Sequence, residues 1–154
     1  DIITIEDDEL IVAFLDMVEN HKMIVENSGL LTVAALRHLD VKNKKIVSIL
    51  SGGNMDVITM SSVVQQGLIL RDRIFTVSVL LPDKPGQLAA VADVIAKQSG
   101  NVIKLEHNQF VSINRNAAVE LRITLEAFGS DHKKKILDTL EKNGYQPKIV
   151  RTQI

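Results

Sequence analysis

Cysteine is absent from the 154 residues, which excludes disulfides, thiolate metal sites and a cysteine nucleophile. That absence is compatible with a reducing cytoplasm, where the chain is expected to reside. Aromatic residues make up only 3%, with no tryptophan, so a base-stacking RNA surface lacks its side chains. Neither sign of charge dominates: 18 basic residues face 19 acidic ones. The balance gives no electrostatic reason to expect nucleic acid or an anionic membrane as partner. No apolar run approaches the ~18 residues of a membrane span. The first residues, Asp1 to Glu9, are acidic rather than basic, unlike a signal peptide. Internal repeats and low-complexity tracts are also missing. The four histidines, His21, His38, His107 and His132, lack metal-ligand spacing, so no metal site is expected.

What remains is an ordinary globular composition, 45% apolar and 24% charged, long enough for one domain or two small ones. Residues 1–70 alternate short β-branched runs with helical patterns. Strands are expected at Ile2–Ile5, Met23–Val25 and Ile46–Leu50. Helices are expected after an Asp7 or Asp8 cap, over Leu30–Leu39, and over Met55–Gln66 with Gly67 as a stop. This alternation is the grammar of a parallel α/β sheet. Three short strands cannot cover helices this apolar, so the first half reads as a partial α/β segment.

Residues 73–154 carry a second pattern. Phe75, Val77, Val79 and Leu81 alternate in a strand, and Pro82–Gly86 turns the chain. A helix with Leu88, Val91, Ala92 and Ile95 on one face runs to Gly100. Strands follow at Val102–Val111 and Ala117–Glu126, separated by a polar turn at Ser112–Asn116. Asp131 is expected to cap a helix ended by Asn143-Gly144, and Ile149-Val150 closes the set. The order βαββαβ is the ferredoxin-like arrangement.

Two loops carry candidate chemistry. The run Ser51-Gly52-Gly53-Asn54 sits at the end of an expected buried strand, where open α/β sheets bind ligands. Its glycines admit a flat ring or an anion close to the backbone. The bland alternative is a Gly-Gly loop with Ser51 capping the next helix. In the second half, Asp83-Lys84-Pro85-Gly86 leads into a helix start whose free N–H groups can take a carboxylate. The alternative there is a tight turn with a proline near a helix start.

Residues 73–154 resemble an ACT domain through Leu81-Pro82-Asp83-Lys84-Pro85-Gly86-Gln87-Leu88, Gly100-Asn101-Val102-Ile103 and Asn143-Gly144-Tyr145. The resemblance implies an amino-acid effector site, usually between two side-by-side domains. Its residues would be Asp83, Pro85, Gly86, Gln87, Leu88, Asn101 and Val102. It also implies a homo-oligomer joined through these domains.

Residues 1–70 resemble the C-terminal part of the catalytic domain of pyridoxal-phosphate threonine ammonia-lyases, a fold-type II enzyme. The matching stretches are Ile24-Val25-Glu26-Asn27-Ser28-Gly29 and Val47-Ser48-Ile49-Leu50-Ser51-Gly52-Gly53-Asn54. The family more often has alanine after the glycine that matches Gly29; here it is Leu30. The resemblance implies that Ser51 hydrogen-bonds the pyridine nitrogen of pyridoxal 5'-phosphate. Gly52, Gly53 and Asn54 would line the ring, and Glu26 would lie near it. A neutral hydroxyl does not compel protonation of that nitrogen, which suits loss of a β-hydroxyl as water.

None of Lys22, Lys42, Lys44 or Lys45 stands in the Ser-x-Lys context that anchors the cofactor in this family, and no four-glycine phosphate loop is present. Both are expected upstream of Asp1, so this chain by itself is expected to be inactive and to bind no cofactor. The parent reaction would convert L-threonine to 2-oxobutanoate and ammonia, with serine deamination or racemisation as variants on the same architecture. The alternative in another class is a stand-alone ACT protein that binds amino acids or dimerises without catalysis.

Overall fold

A computed structural model describes residues 2–108 and 119–153. The chain forms two compact units, Asp1–Leu70 and Arg71–Ile154. The expected turn at 112–116, residues 109–111 of the second strand and residues 117–118 of the third lie outside the described residues. Among the described residues no helix is long and apolar enough to cross a membrane.

The first unit is built on three helices, α1 (Asp7–Asp16), α2 (Asn27–Ala34) and α3 (Val57–Leu70). Glu6, not Asp7 or Asp8, holds the N-cap position of α1, and its N–H donates to the Glu9 carboxylate at 3.0 Å. The acidic first turn Asp7-Asp8-Glu9 complements the positive end of the helix. The same Glu9 also meets His38 Nε2 at 2.7 Å, tying α1 to the 3-10 turn Ala35–His38 behind α2. A π-helical turn, Met17–His21, extends α1 and stops at Lys22, φ +57°. Leu10, Ala13, Phe14 and Met17 of this helical stretch close over Val25, Leu30 and Ala34.

Two expectations for this unit need correction. The segments Ile2–Ile5, Met23–Val25 and Ile46–Leu50 belong to no strand among the described residues. Instead, residues around 46–53 are tied to α2 by single links. Thr32 Oγ1 donates to Ile49 O at 2.9 Å, and Glu26 N–H donates to Gly52 O at 3.3 Å. A strand apolar on both faces needs neighbours on both sides, and here Val47 is 90% exposed and Ile49 74%. The second correction concerns α3. It starts at Val57, where the Asp56 carboxylate accepts the N–H of Ile58 and of Thr59, and it runs through Gly67 to Leu70. Gly67 is a packing residue rather than a stop: a Cβ there would lie 3.3–3.4 Å from Leu15 and Ile11 of α1.

The second unit holds all the ladders among the described residues, and its βαββαβ order is the ferredoxin-like arrangement expected. Strands β1 (Ile74–Leu81), β2 (Asn101–Asn108), β3 (Val119–Glu126) and β4 (Lys148–Val150) form one antiparallel sheet in the order β2-β3-β1-β4. Helices α4 (Gln87–Lys97) and α5 (Ser130–Lys142) bury Val91, Ile95, Ile136 and Leu140 against Val77, Val79, Leu121 and Ile123. The alternation along β1 and β3 is therefore read correctly. On α4, however, Val94 joins the core while Leu88 stays 43% exposed and Ala92 is exposed as well. Gly100 closes the α4–β2 corner where a Cβ would come within 2.8 Å of Ile95.

The start of α5 is held not by Asp131 but by a residue distant in sequence. The Asp72 carboxylate accepts from Ser130 Oγ at 2.7 Å and pairs with Lys133 Nζ at 2.6 Å. The Lys133 hydrogen bond, then that of Ser130, holds Asp72 below its ordinary value of 3.8. A carboxylate depressed on folding contributes stability above its unfolded pKa, and that contribution is lost as pH falls through the lower folded value. Asp72→Asn is therefore expected to cost about 0.5–1 kcal/mol at pH 7 for this half-screened pair. Urea denaturation repeated at decreasing pH should show the difference between the two proteins closing below pH 3.8.

Candidate functional site

In the first unit the chain brings its two glycine-containing motifs face to face. Gly29, at the start of α2, is buried, and a Cβ on it would fall 1.9 Å from the carbonyl oxygen of Ser51. Only a bare backbone allows this approach. Gly52 adopts φ +79°, and a Cβ there would come within 2.4 Å of the Glu26 carboxyl group. Glu26 in turn accepts from Ser28 Oγ at 2.6 Å. Ser51, Gly52, Gly53 and Glu26 thus form one neighbourhood, with Asn54 following on the same loop. Since Asp56 caps α3, the Ser51 hydroxyl is not spent as a helix cap. It is exposed, above a stretch of chain without side chains and beside a half-buried carboxylate. Such a site can offer a flat heteroaromatic ring a neutral hydrogen-bond partner and a surface to lie on. Among the described residues no group of three or more His, Asp or Glu is placed to hold a metal.

In the second unit the loop between β1 and α4 shapes a cavity of about 370 Å³. Lys84 N–H donates to Pro82 O at 2.8 Å, tightening the turn. Gly86 takes φ +86° as the residue before α4, and nothing lies within 4 Å of where its Cβ would be. Open space over a left-handed glycine at a helix start leaves the first-turn N–H groups approachable by a carboxylate. Asp83, Pro85, Gly86, Gln87 and Leu88 all line this cavity.

Asn101 and Val102 do not. The loop follows Leu81, which pairs with Val119, whereas Asn101 pairs with Glu126 at the opposite end of β3. Seven strand steps of ~3.3 Å put Asn101 roughly 23 Å along the sheet. Its side chain donates to Glu126 Oε2 at 3.1 Å, and Val102 is 40% exposed. The cavity wall is supplied instead by Leu81, His107, Val119 and Leu121, which motif reading does not single out. Strand alternation puts these four on the face of the sheet toward the helices. Their gathering at the loop end follows only from the register that sets His107 opposite Leu121.

Comparison with known proteins agrees over nearly the whole chain. It is 32% identical over 153 residues to an L-threonine ammonia-lyase of Geobacter sulfurreducens, matching 98% of this chain and 38% of that protein. An L-threonine ammonia-lyase of Thermotoga maritima is 29% identical over 151 residues, 97% of this chain and 38% of that one. The biosynthetic L-threonine dehydratase IlvA of Pasteurella multocida is 25% identical over 149 residues, 94% of this chain and 28% of that one. The chain thus spans 38% of the length of the first two relatives. No protein-family model matches. Among solved structures, prephenate dehydratase from Streptococcus mutans overlaps 49% of this chain and 40% of its own at TM-score 0.42 and 22% identity. The resemblance to the C-terminal part of threonine ammonia-lyases is borne out by these relatives.

The contact between Gly29 and Ser51 makes a specific prediction. Gly29→Ala cannot fit without displacing the backbone of residues 51–53, and overpacking of this kind costs about 1–3 kcal/mol. Native-state hydrogen exchange should show amides of the first unit losing protection while those of β1 and β3 keep theirs.

Proposed function

We propose that the second unit is an amino-acid-sensing ACT domain and the first unit the tail of a pyridoxal-phosphate catalytic domain, together serving a threonine ammonia-lyase. The parent reaction takes L-threonine to 2-oxobutanoate and ammonia, in the cytoplasm. The observation that carries the sensing role is the loop cavity lying beside a bare sheet edge. β2 is an edge strand, and Val102, Ile103 and Leu105 on it are each at least 40% exposed. Unpaired apolar edges invite another strand. A twofold axis through the middle of β2 pairs it antiparallel with its copy and exchanges the ends. Asn101 and Val102 of the partner subunit then arrive beside the loop cavity, which reunites the effector residues that one copy holds apart. The Asn101 amide offers a donor and an acceptor to the amino-acid head while the α4 N-terminus takes the carboxylate. An effector that prefers one arrangement of the pair shifts the population of that arrangement and so regulates the attached catalytic domain.

For the first unit, the bare platform of Gly29, Ser51 and Gly52 fits a flat pyridine ring. Pyridoxal phosphate, when bound, supplies an electron-withdrawing ring that eases elimination from an amino acid. Ser51 would orient that ring through its nitrogen without imposing a negative charge, and Glu26 would stand beside it, held by Ser28. Val47, Ile49, Val57 and Ile58, each 74–90% exposed, form the surface on which the rest of the catalytic domain would pack. That remainder would contribute the anchoring lysine and the phosphate loop.

Calorimetric titration of the 154-residue chain with isoleucine, valine, threonine and serine tests the sensor. One of them should bind with one site per chain and stabilise a dimer in sedimentation. Asn101→Ala should weaken that binding roughly tenfold, the value of a lost hydrogen bond or slightly more. No heat and no thermal shift with any of the four rejects the effector site. Binding without dimerisation rejects the shared-edge geometry.

A further inference from the structure

The face of the sheet away from the helices carries a second concavity, of about 270 Å³. Glu106 and Arg122 line it, alternating along their strands with His107 and Leu121 of the loop cavity, so the two sites open on opposite faces. The floor is a pair of buried hydroxyls, Thr76 and Thr124, 2.9 Å apart on β1 and β3. Within such a pair one hydroxyl proton is used by the other oxygen, which leaves the second proton for a ligand.

The walls are unevenly charged. Lys104, Arg122 and Arg151 face the space with Glu106 as the one carboxylate among them. Since Glu120 pairs with Arg122 from outside the lining, the net surplus is one positive charge, that of Arg151. Glu106 is matched by Lys104 at 2.9 Å. Arg122 gives its Nε to Glu120 at 3.1 Å, and Glu120 also accepts from Ser78 at 2.6 Å. The two terminal amino groups of Arg122 remain for another acceptor. Arg151, beyond β4, pairs with no carboxylate among the described residues. A sheet face that merely carpets itself with ion pairs would match its charges one to one; here the unmatched Arg151 and the free terminal amino groups of Arg122 line one space over a hydroxyl floor.

We propose that this open sheet face is a binding site for a small dianion, a phosphate monoester or a dicarboxylate, held by Arg151, Arg122, Lys104 and a threonine hydroxyl. One oxyanion charge is met by Arg151, and the second by the terminal amino groups of Arg122 and by Lys104, which an anion shares with Glu120 and Glu106. Guanidinium groups match carboxylate and phosphate oxygens bidentately. The concavity, of about 270 Å³, has room for an anion of metabolite size.

Thermal denaturation of the whole chain in sodium phosphate, sodium succinate, glycine, and sodium chloride at matched ionic strength tests it. Phosphate, succinate or both should raise the melting temperature by roughly 3 °C over chloride. Arg151→Gln, which removes an exposed side chain with no carboxylate partner, should abolish the rise and leave the melting temperature in chloride unchanged. Arg151→Lys should retain part of the rise. A response to phosphate alone identifies a phosphate ligand and to succinate alone a dicarboxylate. An equal rise in chloride, an equal rise with glycine, or a rise that survives Arg151→Gln overturns the proposal. None of these outcomes depends on the loop cavity, so they leave the amino-acid reading to its own titration.

Discussion

A four-stranded sheet covered by helices on one face only is the constraint from which the second unit follows. The buried face takes Val77, Val79, Leu121 and Ile123, and α4 and α5 close over it with Val91, Ile95, Ile136 and Leu140. Burial of these side chains supplies the main drive for folding. The uncovered face must then solve a different problem, since β1 and β3 are central and their outward positions are still shielded. Thr76, Ser78 and Thr124 are buried there and satisfied by one another and by Glu120. Longer charged side chains from β2 and β3 stand around them. One face is therefore a packed core and the other a polar surface with chemistry of its own.

The same constraint leaves the two sheet edges unequal. β4 pairs with β1 over only three residues, too short to be a template for another strand. β2 runs eight residues with its apolar side chains half in water. The loop cavity and the Asn101 end of this strand lie far apart within one chain, and pairing of two β2 edges is the simplest operation that joins them. Under the proposed function, assembly and sensing become a single structural problem, since an effector bound across such a pair would act on the arrangement of subunits.

In the first unit the governing contact is between backbones. Gly29 against the carbonyl of Ser51, and Gly52 against Glu26, are approaches that any side chain would block. Together they draw the helix start of α2 to the Ser-Gly-Gly loop and leave the Ser51 hydroxyl uncommitted. The helices beneath are fastened by ordinary means: a Glu6–Glu9 cap, an Asp56 cap and a Gly67 crossing. The exposed Val47 and Ile49 show a unit whose apolar content exceeds what its own three helices cover.

Local patterning was enough for the elements that carry their own signal. Strict alternation in Phe75–Leu81 and Val119–Glu126 settled which face of the sheet is buried, because side chains on a strand have period two. The Pro-Asp-Lys-Pro-Gly turn and the Ser-Gly-Gly-Asn run were likewise legible, as glycine with a positive φ has few substitutes. Tertiary structure decided the rest. Whether an apolar run becomes a strand depends on neighbours that pair with it, and Ile46–Leu50 has none among the described residues. Whether a glycine ends a helix or lets another helix close in depends on what crosses it, as Ile11 and Leu15 cross Gly67. Side-chain ties supplied from a distance, such as Asp72 to Ser130 and Lys133 of α5, leave no local trace. Nor do cavities: His107 meets Leu121, and Arg151 nears Arg122, only through strand order and register, which are properties of the assembled sheet and not of any segment within it.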